Sequence, residues 1–360
     1  MHTRNQSLDV LRGVAILLVL ARHLPYVEAV PVFRFWYSIG WSGVDLFFVL
    51  SGFLISGLLF NEYKKSGGIQ VARFWLRRGF KIYPPFYALL LTTAIGLLLR
   101  DGRAQARLLG EAVFLQNYLP HFWDHTWSLA IEEHFYFLLP LILLGLLWVS
   151  QNRPFRWVPG ISACVTALCL ILRIQSVHPG ATWAVAFPTH LRIDALFLGV
   201  TLGYFKHFEP ESFAIRPRVP LWLIGIVLLL PVFLAPFCVF TTTVGLTLTS
   251  LGYGCILVWA MNSQAFQSRW LRPLAWIGVY SYSIYLWHKP LADLWLRFLP
   301  ETVWAFVLYL FAAVLAGAAL SRLIETPMLA LRERWSVTAK RDHKRKPKLN
   351  PALVAVEMGT

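Results

Sequence analysis

The sequence predicts an all-α fold, a polytopic membrane helical bundle of about ten transmembrane helices with both termini in the cytoplasm. Three observations carry this. Of 360 residues, 57% are hydrophobic and only 14% charged, whereas a soluble domain has roughly a quarter of its residues charged. The apolar residues are gathered into runs long enough for a hydrocarbon core of about 30 Å. The lysines and arginines alternate from loop to loop between rich and poor, as membrane orientation requires.

The runs fall at about 8–25, 41–60, 81–99, 127–149, 157–175, 187–206, 219–238, 243–261, 274–292 and 303–324. Each is bounded by charge, proline or a polar cluster. Leu108 to Leu119 is too short to cross and is expected to re-enter or to lie at the interface. With the N-terminus inside, the cytoplasmic segments hold 22 lysines and arginines, against six in the outer ones (Arg34, Arg100, Arg103, Arg107, Arg173 and Arg297). An even number of crossings returns the C-terminus to the same side, so helix count and charge bias agree. Residues 1–330 form one membrane domain and 331–360 a basic cytoplasmic tail, whose stretch Lys340 to Lys348 is expected to be disordered. No internal repeat is visible.

A net charge of +15 invites nucleic acid as a partner, but the basic residues sit in loops between apolar spans, which fits a lipid bilayer and excludes nucleic acid. Cys164, Cys169, Cys238 and Cys255 lie in or beside apolar spans with no C-x-x-C spacing. Packing is their expected role, and no metal site is predicted.

Ionisable groups within spans cost about 2.5–3.5 kcal/mol each near the bilayer centre, so they are expected to face a protein interior or a water-filled cavity. The stretch Leu8 to His23 carries Arg12 near one end and His23 near the other. At ~1.5 Å and ~100° per residue the two are roughly 16 Å apart along the axis and within about 20° of one face. In isolation, Arg12 reads equally well as a snorkelling anchor and His23 as a polar helix end. The outer half of the bundle should further contain Asp45, Glu132, Glu133, His190, Arg192, Asp194 and His288. The inner half should contain Arg12, Arg77, Arg78, Lys81, Arg322 and Glu325. The inner set suits an anionic, phosphate-bearing ligand, since guanidinium forks take phosphate oxygens in pairs. The outer set suits hydroxyl chemistry, with a histidine as base and a carboxylate to orient it. His23 pairs with Glu132 or Glu133 if their helices touch. The two glutamates are ~100° apart, so one of them is expected to face the site. Asp194 and His190, four residues apart, share a face and form an alternative pair.

Six stretches in order resemble the membrane acyltransferase family 3: LDVLRGVAILLVLARH at 8–23, WSGVDLFFVLSGFLISGLL at 41–59, RRGFKIYPPFY at 77–87, HTWSLAIEEHFYFLLPLIL at 125–143, RIDALFLGVTLGY at 192–204 and YSYSIYLWHKPL at 280–291. The resemblance implies an integral O-acyltransferase of the bacterial cytoplasmic (inner) membrane. It further implies an acyl-CoA donor, acetyl-CoA foremost, and a hydroxyl acceptor on a carbohydrate or secondary metabolite. It implies an essential histidine preceded by an arginine with ten residues between, here His23 and Arg12. The family's R-x-x-R element is met as Arg78 and Lys81, the lysine keeping the charge without the bidentate fork. Its glutamate element ordinarily continues with glutamine, where this chain has His134. The chain ends soon after Glu325, so the hydrolase-like domain of many relatives is not expected.

The site expected on these grounds has His23, Glu132, Glu133 and Asp45 in catalysis, with His23 as general base or transient acyl carrier. Arg12, Arg77, Arg78 and Lys81 hold the acyl-CoA, and Arg192, Asp194, His288, Trp127 and Ser128 hold the acceptor. The rival readings are a transporter or flippase with the same polar cavity and a structural subunit whose polar groups only join helices. The missing internal repeat argues against the transporter.

Overall fold

The computed structural model describes residues 5–23, 31–98, 105–150, 152–178, 182–214, 220–298 and 302–334, and among these every regular element is helical. The basic tail, including Lys340 to Lys348, lies outside the described residues.

Helix α1 (Gln6–Arg22) starts where the Asn5 side chain accepts from the Leu8 N–H, the usual N-cap contact. It is followed by α2 (Pro31–Ile39), a single 3₁₀ turn at 40–42, and α3 (Gly43–Ser66). Gly67, at φ 71°, ends α3 in the left-handed region that glycine adopts without a Cβ clash. Helix α4 (Val71–Leu98) begins ten residues before the predicted run and passes through Pro84 and Pro85. Then come α5 (Gln105–Ala112), α6 (Trp127–Val149) and α7 (Val158–Ser176). The predicted run 187–206 is broken at Ile193 into α8 (Thr189–Arg192) and α9 (Asp194–Phe208). A short α10 (Pro210–Phe213), α11 (Leu221–Leu234), α12 (Val239–Thr242) and α13 (Val244–Asn262) follow. The run 274–292 is likewise broken, at Tyr280, into α14 (Arg272–Val279) and α15 (Ser281–Phe298). The last element is α16 (Val303–Leu320), continued by a π turn at Ser321–Glu325.

Among the described residues, six helices are long and apolar enough to cross a membrane: Phe33–Ser66, Val71–Leu98, Asp124–Val149, Pro154–Ser176, Val244–Asn262 and Val303–Arg334. Helix α11 is as apolar but shorter. Leu108 falls within α5 and Leu119 in the turns after it, so this stretch does not form a span.

Helix α1 is buried along most of its length, as an element apolar on every side must be. It packs on α14, α3, α2, α13 and α15. Where α1 meets α14, a Cβ on Gly278 would fall on the Asp9 carbonyl and one on Gly13 on the Leu274 carbonyl. The α3–α9 crossing is built the same way. Gly52 backs onto the Leu196 carbonyl, and Gly199 onto the Val49 carbonyl and the Phe53 N. Small residues let backbones touch, which replaces the hydrophobic drive that lipid cannot supply between helices.

Among the described residues, two ion pairs are fully buried inside the bundle. Arg192 Nη2 is 2.9 Å from Asp45 Oδ1, joining α8 to α3. Arg173 Nη2 is 2.7 Å from Asp194 Oδ2 and from Thr247 Oγ1, joining α7 to α9 and α13. Arg173 is completely buried, so it is not the outer-loop cation that the charge count takes it for.

Candidate active site

Two cavities meet inside the bundle. The first, of about 100 Å³, receives Arg12 from α1, Arg78 and Lys81 from α4, and Ser128, Glu132 and Glu133 from α6. Its carboxylates are held from opposite sides. Glu132 accepts from Ser51 Oγ and from Tyr136 OH, both at 2.6 Å. Glu133 accepts from Tyr83 OH at 3.2 Å. Contact with α3 on one side and α4 on the other explains why both glutamates line the cavity despite their angular offset. The Arg78 guanidinium packs over the rings of Tyr136 and Phe74 at 5.7 and 5.8 Å. No carboxylate among the described residues lies within ion-pair distance of it. Arg12 approaches Asp9 at 3.8 Å. Arg77 is exposed and lines neither cavity, because the adjacent position on α4 turns it outward.

The second cavity, of about 510 Å³, is lined by His23, His125, Trp127, Trp183, Arg192 and Trp41, among others. Behind it three imidazoles cluster. His288 Nε2 lies 3.2 Å from His23 Nδ1, and the His125 and His288 ring centres are 5.0 Å apart. Backbone carbonyls fix which nitrogens carry hydrogen, since a carbonyl only accepts. His288 Nδ1 donates to the Tyr285 carbonyl at 2.5 Å, so its Nε2 in the neutral ring is an acceptor. His23 Nδ1 donates, shared between the Val19 carbonyl at 3.1 Å and that His288 nitrogen. The lone pair of His23 is thereby left on Nε2, on a residue that lines the cavity, which is the arrangement a base requires.

Val44 and Tyr285 line both cavities and form the wall between them. The Tyr285 hydroxyl donates to the His125 carbonyl and accepts from Ser128 Oγ at 2.6 Å. The turn bearing His125 is clasped from α5 by fully buried Glu111. One carboxylate oxygen of Glu111 accepts from the Trp123 N–H at 2.7 Å, and from the Phe122 N–H and Thr126 Oγ at 3.3 Å. Burial raises the pKa of this carboxyl above the ordinary range.

Several sequence expectations need correction. Asp45, expected in catalysis, is 1% exposed, engaged by Arg192, and lines neither cavity. Asp194, expected to bind acceptor, is paired with Arg173 and lines neither cavity. The alternative Asp194–His190 pair does not form, because the helix breaks between them and His190 meets Tyr118 OH instead, at 3.0 Å. His288 is fully buried behind His23 rather than in contact with a cavity. Neither Glu132 nor Glu133 orients His23, since both belong to the other cavity and His288 occupies the partner position. Ser128 lies on the arginine side, Trp127 and Arg192 on the histidine side. His134, in place of glutamine, meets Thr189 Oγ at 2.7 Å. His125 and Tyr285 are not singled out by the sequence reading, although both fall in the quoted stretches 125–143 and 280–291, because nothing in those stretches says which polar residue turns toward His23. Their positions, two residues before Trp127 and three before His288, were the available signal.

An all-helical bundle with several membrane-length helices, with cations on one side of a wall and imidazoles on the other, is the architecture of a multi-pass membrane protein with an internal polar site. The chain belongs to the membrane acyltransferase family 3, whose family model, described as an acyltransferase domain, matches residues 5–322. It is similar to the peptidoglycan O-acetyltransferase OatA of Listeria monocytogenes, 28% identical across 89% of this chain and 55% of the relative. It is also similar to the putative peptidoglycan O-acetyltransferase YrhL of Bacillus subtilis, 26% identical across 80% of this chain and 49% of the relative. A putative O-acetyltransferase of Staphylococcus aureus is 29% identical across 78% of this chain and 50% of its own length. The chain thus spans about half the length of these curated relatives. No solved structure matches it.

Proposed function

We propose that this acyltransferase moves an acetyl or similar acyl group from acyl-CoA, supplied on the cytoplasmic side, to a hydroxyl of a cell-envelope carbohydrate. In this reading the chain crosses the bacterial inner membrane about ten times with both termini inside. The supporting observation is the single shared wall of Val44 and Tyr285 between a cationic cavity and a histidine cavity. Arg12, Arg78 and Lys81 offer phosphate oxygens charge-assisted hydrogen bonds, which are about twice as strong as neutral ones. Arg78 fits this role because no carboxylate among the described residues engages its guanidinium. The narrow volume of the cationic cavity fits an extended arm rather than a whole nucleotide.

His23 Nε2 takes the proton of the acceptor hydroxyl as its oxygen attacks the thioester carbonyl. The new C–O bond forms, the C–S bond breaks, and the departing thiolate recovers the proton. In the covalent variant His23 Nε2 first takes the acyl group and releases the thiol. The names of the relatives make a peptidoglycan sugar the first acceptor to try.

The test is transfer of label from radiolabelled acetyl-CoA to glycan by the purified protein. Wild type should label the acceptor, and His23→Ala should lose at least ~100-fold, the contribution expected of a general base. Retention of more than a few per cent of activity by a folded His23→Ala protein removes the histidine from the mechanism. Vesicle uptake of unmodified glycan without transfer would instead indicate a transporter.

A further inference from the structure

Between α5 and α6, two neighbouring amides face opposite requirements at their two ends. Gln116 Nε2 donates to the Thr126 carbonyl at 2.9 Å. Asn117 Nδ2 donates to Thr189 Oγ at 2.7 Å and to the Phe187 carbonyl at 3.5 Å. Because carbonyls accept only, these contacts set the orientation of both amides. Among the described residues Gln116 Oε1 and Asn117 Oδ1 then have no protein partner, and the two residues are 1% and 8% exposed. Both residues line the histidine cavity. His125 behaves alike, since its Nε2 donates to the Leu286 carbonyl and its buried Nδ1 is unpartnered.

Three buried acceptors bordering one cavity are costly for as long as they stay unsatisfied. A ligand relieves that cost only by bringing hydrogens. A phosphate or an acyl chain offers none, whereas a sugar ring presents several hydroxyl donors round its edge and an apolar C–H face that an indole such as Trp41, in the same lining, can cover. The volume of about 510 Å³ lies in the ~300–1,000 Å³ range of small-molecule sites.

We infer that Gln116 and Asn117 are the specificity-determining residues of the acceptor, their side-chain carbonyls taking hydrogen bonds from hydroxyls of a sugar ring seated beside His23. This rests on the acyl-transfer reading for its role in the reaction, but the subsite itself is tested by binding alone.

The probe is a β-1,4-linked N-acetylglucosamine tetramer, titrated calorimetrically into the full-length protein in detergent. Wild type should bind it, and should bind the O-methylated tetramer, which has no hydroxyl donors, at least ~10-fold more weakly. Gln116→Leu and Asn117→Leu should each weaken binding of the free tetramer about five- to tenfold, one hydrogen bond's worth. Asn117→Asp, which retains the acceptor oxygen while the Thr189 hydroxyl turns to donate, should stay within about twofold. Equal affinity of wild type for the free and methylated tetramers, absence of binding, or leucine variants that melt and bind like wild type would each overturn the assignment. Should the leucine variants fail to fold, the methylated tetramer decides. Donor-sensitive binding without acyl transfer would leave the subsite standing and bring down the acyltransferase reading of it.

Discussion

His288 Nε2 stands 3.2 Å from His23 Nδ1, so a residue that touches neither cavity holds the tautomer of one that does. Its own Nδ1 is tied to the Tyr285 carbonyl. His288 is therefore a positioning residue for His23. His288→Phe, which keeps a ring but no nitrogen, should lower kcat about tenfold or more while leaving KM for acyl-CoA unchanged. The acid limb of the rate profile, which a base at His23 sets, should move as well, because the neighbour that shares the His23 Nδ1 hydrogen is gone. An unchanged pH profile would reduce His288 to packing.

Arg77 and Arg78 are adjacent in sequence and opposite in placement, one exposed and one within the cationic cavity. Steady-state kinetics should separate them. Arg78→Ala should raise KM for acyl-CoA at least ~10-fold, as expected for loss of a hydrogen bond to a charged group. Arg78→Lys should restore part of that, since the charge returns without the fork. Arg77→Ala should stay within about twofold of wild type.

The Asp45–Arg192 pair predicts a defect of stability. Asp45→Asn leaves the buried Arg192 guanidinium without its counter-charge and should cost about 3–5 kcal/mol, read as a lowered melting temperature in detergent. Adding Arg192→Met should recover part of the loss, because removing both charges removes the stranded one. A double variant no more stable than the single would contradict the pairing.

The sequence carries the helical spans well where nothing but hydrophobicity decides them, and α6 starts and stops at the residues expected of it, Trp127 and Val149. It fails at α4, where the cationic run and the Pro84–Pro85 pair look like a loop and a start signal although the helix runs through both. It fails again at Ile193 and Tyr280, since a one-residue break leaves the apolar pattern intact while changing which side chains share a face. The Asp194–His190 pair was lost for that reason. Depth along the bundle was legible for Arg12 and His23, which line separate cavities as their axial separation suggests. Partnership across the bundle was not, because the partners of Asp45, Glu132 and His288 on other helices, Arg192, Ser51 and His23, lie 81 or more positions away on helices whose rotation no pattern sets.

The glycine-backed crossing of α3 and α9 has a mechanical consequence. Two main chains in direct contact have no side chains between them to rearrange, so this half of the molecule acts as a fixed post. Beside the cationic cavity, α4 is tied to its neighbours by tyrosine hydroxyls, Tyr83 reaching Glu133 and Tyr282 reaching the Ile82 carbonyl. Single hydrogen bonds of that kind break and remake at little cost. Of the helices around the cationic cavity, α4 and α15 are therefore held by the more readily remade contacts, while the post keeps its shape.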